Sequence, residues 1–157
     1  MEDKKIILDY KSVCAEELQE EDKRLRSVAV EAAKDAYAPY SHFFVGAAVL
    51  LEDGTIVKGN NQENAAYPSG LCAERVALFS AGAIFPTIPV VALAITAMKD
   101  GEIQQSISPC GACRQVMLET EQRYGRPLRV LLCGNDETIM VSSAKDLLPL
   151  CFGKNSL

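Results

Sequence analysis

The stretch FFVGAAVLLEDGTIVKGNN (43–61) decides how this chain folds. Its first half, Phe43 to Leu51, is an apolar run of strand length, and Glu52-Asp53-Gly54 supplies turn chemistry before a second short run from Thr55 to Lys58. The stretch reads as a β-hairpin. Upstream, from about Ser12 to Ala36, the pattern turns helical. Leu25, Val28, Ala29, Ala32, Ala33 and Ala36 share one apolar stripe, which stops at YAPYS because Pro39 biases Ala38 away from helical dihedrals. Downstream lies a polar loop with Asn60, Asn61, Asn64, Pro68 and Gly70, then CAERVALFSAG (72–82), a helix closed by Gly82. IPVVALAIT (88–96) is apolar throughout, as expected of a strand buried on both faces. Pro109 opens a helix to about Tyr124, ended by Gly125, and PLRVLLCG (127–134) is another buried strand. NDETIMVSS (135–143) reads as a turn with a short strand, and SAKDLLPLCF (143–152) as a short closing helix. This order predicts an α/β fold, a three-layer α/β/α sandwich with a central mixed five-stranded sheet.

At 157 residues the chain fits one domain, 1–157, able to bury a core without disulfides; residues 1–16 form an N-terminal extension with no assigned role. Apolar residues make up 48% and charged residues 24%, a globular balance that argues against disorder. No apolar run approaches the ~20 residues that span a bilayer. MEDKKIILDYKSV (1–13) has an acid beside the Met and a short apolar run, unlike a secretory signal, so the cytoplasm is the expected compartment. The net charge of −5, without a cluster of Lys and Arg, disfavours nucleic acid as a partner.

The chemistry-bearing residues are cysteines. In a cytosolic chain, Cys110-x-x-Cys113 reads as metal-binding or redox-active. Three residues apart at a helix start, the two thiols share a face and can reach one metal; a dithiol redox pair or an inert buried pair remain alternatives. Cys72 also stands at a helix start, after the Gly70 breaker, and can supply a third ligand to zinc, leaving the fourth position open for water. Three thiolates on Zn²⁺ leave a local charge of −1. Helix N-termini offset it, and Arg75 can donate hydrogen bonds to the sulfurs unless it is an ordinary exposed cation. Glu74 is the candidate proton carrier, although i and i+2 point apart on an ideal helix, and a solvated surface carboxylate is the competing reading. Cys-Ala-Glu also occurs at 14–16, in an acidic helix-forming stretch without a downstream partner, where Cys14 is expected on a helix surface. His42 is expected to be an exposed loop residue, and Cys133 and Cys151 small hydrophobes.

CAERVAL followed by SPCGACRQVM resembles the zinc nucleoside deaminases, specifically the small homotetrameric cytidine deaminases with three Cys ligands. The similarity runs from about Tyr37 to Gly153 and includes AYAPYSHFFVGAAVL, GNNQENAAYP and LLPLCFG. The resemblance implies one zinc per chain on Cys72, Cys110 and Cys113. It implies hydrolytic attack at C4 of cytidine or deoxycytidine, with Glu74 handling protons, as a step of pyrimidine salvage. It also implies substrate contacts by Phe43 on the base, by Asn61 and Glu63 on the ribose hydroxyls, and by Ala73. Tyr67 and Phe152 match residues sent toward a neighbouring subunit's site, so a homotetramer with shared active sites is implied. Strand core is the competing reading for Phe43, and loop capping for Asn61 and Glu63. Asn60, Gln62 and Phe44 depart from the family pattern. A deaminase of another aminopyrimidine nucleoside and a structural zinc module with a fourth protein ligand are the rival functions.

Overall fold

The computed structural model describes residues 1–157, with the side chain of Asn155 left aside. Seven strands form one sheet in the order β1-β7-β6-β4-β2-β3: β1 (Lys11–Val13), β2 (Phe44–Leu51), β3 (Ile56–Asn60), β4 (Val90–Lys99), β6 (Arg129–Cys133) and β7 (Thr138–Val141), with β5 (Glu102–Ile103) paired to β4. Three α-helices accompany them: α1 (Glu20–Lys34), α2 (Ala73–Ile84) and α3 (Gly111–Tyr124). β4 and β6 run parallel while the other pairs are antiparallel, so the sheet is mixed. A parallel pair needs a crossover between its strands, and α3 provides it.

Side-chain alternation places the layers. Ala47, Val49 and Leu51 of β2 join Leu93, Ile95, Val130 and Leu132 in a core closed by Ala73, Ala77 and Ala81 of α2 and by Cys113 and Met117 of α3. Their neighbours Ala48, Leu50, Ala92, Ala94 and Leu131 face the other way, onto Leu25 and Ala29 of α1. The three-layer sandwich is therefore as expected, with two strands more than the five anticipated. Two glycines let helices approach the sheet closely. A Cβ on Gly46 would lie 2.0 Å from the Ala29 carbonyl oxygen, and one on Gly59 would lie 2.4 Å from the Ala77 nitrogen.

Several boundaries correct the sequence reading. Residues 11–13 are strand rather than helix, pairing Lys11 with Met140 and Val13 with Thr138, and α1 begins only at Glu20. Cys14 is consequently exposed at the start of a 3-10 turn (Ala15–Glu17), not on an α-helix face. Gly82 lies inside α2, which continues to Ile84 and stops ahead of Pro86. Pro109 precedes the α3 cap, Cys110, whereas Gly125 ends α3 in the left-handed region at φ 64°. The closing helix is a 3-10 turn, Ala144–Leu147.

Candidate metal centre and adjoining cavity

Cys72 and Cys110 occupy equivalent places. Each is the N-cap of a helix, with extended backbone (φ −72°, ψ 152° and φ −67°, ψ 165°), and neither side chain caps its own helix. Both sulfurs are thus free to point past the helix ends, where backbone N–H groups and the helix dipoles favour negative charge. Cys113, in the first turn of α3 and fully buried, completes the group. The Cys72 and Cys110 sulfurs are 3.9 Å apart and those of Cys110 and Cys113 3.5 Å, with all three inside 4.8 Å of one another. Tetrahedral zinc with Zn–S bonds of about 2.3 Å sets its sulfurs about 3.8 Å apart, so this donor set fits zinc. Among the described residues no fourth Cys, His or carboxylate joins the group.

Arg75 reaches the sulfurs as expected, its Nη2 donating to Cys72 Sγ at 3.6 Å, while its buried Nε has no partner. Hydrogen bonds donated by the Cys113 and Cys110 thiols and by Arg75 hold the Cys72 thiol down to about 5, against the opposing effect of burial. Cys113 shifts upward because it donates to Cys72 and is itself buried.

Glu74 is 4% exposed. Burial is the main cause that raises its carboxyl pKa, and the Cys72 thiolate adds to it. The helical spacing that set Glu74 and Cys72 apart does not apply, because Cys72 precedes the first helical residue; both side chains line one cavity. That cavity has a volume of about 590 Å³, in the range of small-molecule sites. Cys110 and Ala73 also line it, as do Asn61, Glu63 and Tyr67.

Asn61 and Glu63 are held in place by side-chain hydrogen bonds. Asn61 Oδ1 accepts from the Val45 N–H at 2.7 Å and its Nδ2 donates to the Phe43 carbonyl at 3.0 Å, extending the β2–β3 ladder by one residue. Glu63 accepts from the N–H groups of Tyr40 and Ser41 at 2.9 and 3.3 Å and from the Ser41 hydroxyl. The Ser41 hydroxyl is the main cause that lowers the Glu63 carboxyl below its usual range, followed by the Tyr40 N–H. The Ser41 oxygen also accepts from the Phe43 N–H at 3.0 Å. Ser41 escaped the sequence reading. Its only signal was a Ser two residues before an aromatic, the spacing of a Ser/Thr turn.

Phe43 is half-buried and does not line the cavity of its own chain. Tyr67 is exposed on the rim, edge-on to Tyr40 with ring centroids 6.4 Å apart. Phe152 is 61% exposed and away from the cavity of its own chain. His42 is exposed, with φ 53°, and Cys133 is buried, its thiol pushed up to about 11 by desolvation.

Fold and site together define an α/β protein in which two helix N-termini gather a trio of thiols, two of which line a substrate-sized cavity. Residues 19–124 match the model of the cytidine and deoxycytidylate deaminase zinc-binding region, and the chain belongs to that family. It is 43% identical to a cytidine deaminase of Halalkalibacterium halodurans over 79% of this chain and 88% of that one. It is 41% identical to a cytidine deaminase of Sporosarcina psychrophila, over 85% and 93% respectively. The crystal structure of cytidine deaminase from Burkholderia pseudomallei superposes with a TM-score of 0.71 at 42% identity, covering 83% of this chain and 98% of that one.

Proposed function

We propose that this chain is a zinc-dependent enzyme that hydrolyses cytidine and 2′-deoxycytidine to uridine and 2′-deoxyuridine with release of ammonia, a reaction of pyrimidine salvage. The observation that carries this reading is the buried Glu74 carboxyl beside three converging sulfurs, with Glu74, Cys72 and Cys110 lining the cavity. Cys72, Cys110 and Cys113 would hold a zinc ion, which would supply the Lewis acidity that activates water for attack.

The chain's own groups do the rest. Glu74 takes a proton from the attacking water and delivers it to N3 of the pyrimidine, then carries the remaining proton of the new C4 hydroxyl to the amine, which leaves as ammonia as the C4 carbonyl forms. Its burial suits a group that must hold a proton between these steps. Arg75 offsets the charge of the thiolates. Asn61 and Glu63 meet the ribose hydroxyls and Ala73 borders the base, while Phe43, set back from the cavity, anchors the Asn61 side chain through its carbonyl. The charge of Glu63 opposes a phosphate, which favours free nucleosides.

Tyr67 and Phe152 are read as completing the cavity of a neighbouring copy in a homotetramer, in keeping with their exposure. The six unpaired cysteines suit the cytoplasm. The reading is tested by the fall in ultraviolet absorbance of cytidine incubated with the purified protein. Turnover should stop with a zinc chelator and return with zinc. Faster turnover of another aminopyrimidine nucleoside would reassign the substrate, and no turnover of any would leave a structural zinc module.

A further inference from the structure

The segment ahead of α1 is rich in unburied apolar surface: Ile6, Ile7, Leu8 and Tyr10 are all exposed, Ile7 to 81%. It leads directly into β1, the outermost strand of the sheet, which pairs with β7 on one side and has no strand on the other. An apolar run entering a free sheet edge is a template for strand pairing, and proteins normally blunt such an edge. We propose that residues 3–11 of two copies pair as antiparallel strands about a two-fold axis at Ile7, joining the two sheets edge to edge.

Symmetry restricts the register sharply. Two identical antiparallel neighbours are related by a two-fold axis normal to the sheet, which keeps each side chain on its own face. Side chains alternate faces along a strand, so some residue must then stand opposite its own copy. Centring on Ile6 sets Asp3 against Asp9, and centring on Leu8 sets Lys5 against Lys11, both like-charge pairs. Centring on Lys5 or Asp9 sets that charge against itself. Centring on Ile7 gives Asp3 opposite Lys11, Lys5 opposite Asp9 and Ile7 opposite Ile7 on one face, with Ile6 opposite Leu8 and Lys4 opposite Tyr10 on the other.

In that register every charge on the first face meets its opposite, and every aliphatic side chain meets another. The Lys4 stem lies along the Tyr10 ring, leaving its ammonium in water. Lys11 then sits between Met140 of β7 and the partner's Asp3, so the pairing continues the β1 edge. The segment precedes the family-matched region, and the interface does not depend on the reaction assigned to the cavity.

Single cysteines introduced into the zinc-loaded full chain, with the exposed Cys14 replaced by Ser, test this directly. Under mild oxidation Ile7→Cys should shift to twice the chain mass on a non-reducing gel, because residue 7 faces itself. Tyr10→Cys, also exposed but facing Lys4, should not. Adding Asp9→Lys to Ile7→Cys should abolish the dimer band, and adding Lys5→Asp as well should restore it. The proposal is overturned if Ile7→Cys gives no dimer, if Tyr10→Cys gives as much, or if the band survives Asp9→Lys.

Discussion

Glu63 commits both carboxylate oxygens to the loop ahead of β2, and Ser41 passes that restraint on to the Phe43 backbone. If Glu63 holds the sugar, Ser41 sets where it stands. Ser41→Ala is expected to raise KM for cytidine roughly two- to tenfold with little change in kcat, the usual effect of one lost hydrogen bond. Because the Glu63 pKa is lowered in the folded chain, its hold on the loop is complete above the ordinary value of 4.5. That hold is lost as the pH falls through the lowered value, which hydrogen exchange at Tyr40 and Ser41 should report. At this scale the candidate ligand pair was legible because Cys110-x-x-Cys113 is a local pattern, and Cys72 because it follows a breaker at a helix start. The placement of Glu74 was legible only as a condition, that Cys72 stand at the helix end before helical geometry begins, and the Cys72 cap meets it. Cys110→Ala should lose zinc together with activity, measured as metal content after dialysis; unchanged zinc would refute its role as a ligand.

The elements divide by length. β2, β4, α1 and α3 were readable because each carries enough residues to display its period. β1 and β5, of three and two residues, are too short to show one and exist through their pairing with β7 and β4. Nor did the pattern reveal that Asp22 on α1 is buried and bound to Arg129 of β6 at 2.6 Å, a contact more than 100 residues apart in sequence. The packing of β3 against α2 places the Cys72 end of the site. Gly59→Ala would push a methyl group into the backbone of Ala73 and Ala77. A loss of stability of about 1–3 kcal/mol is expected, measured by urea denaturation.

Across the whole molecule, two helix N-termini on one face of the sheet bring together sulfurs 38 residues apart, and the neighbouring loops build a cavity above them. If Phe152 serves a neighbouring copy, two defective chains should repair each other. Mixed assemblies of Phe152→Ala with Glu74→Ala contain sites that combine an intact Glu74 with an intact Phe152. Their activity should exceed the sum of the separate variants; an additive result would place Phe152 outside the neighbour's site. The central claim, that a buried carboxylate moves protons beside a thiolate-held zinc, is tested most directly by Glu74→Ala. The variant should retain about one zinc per chain while cytidine turnover falls by roughly 10²-fold or more. Near-native turnover with zinc still bound would contradict the account.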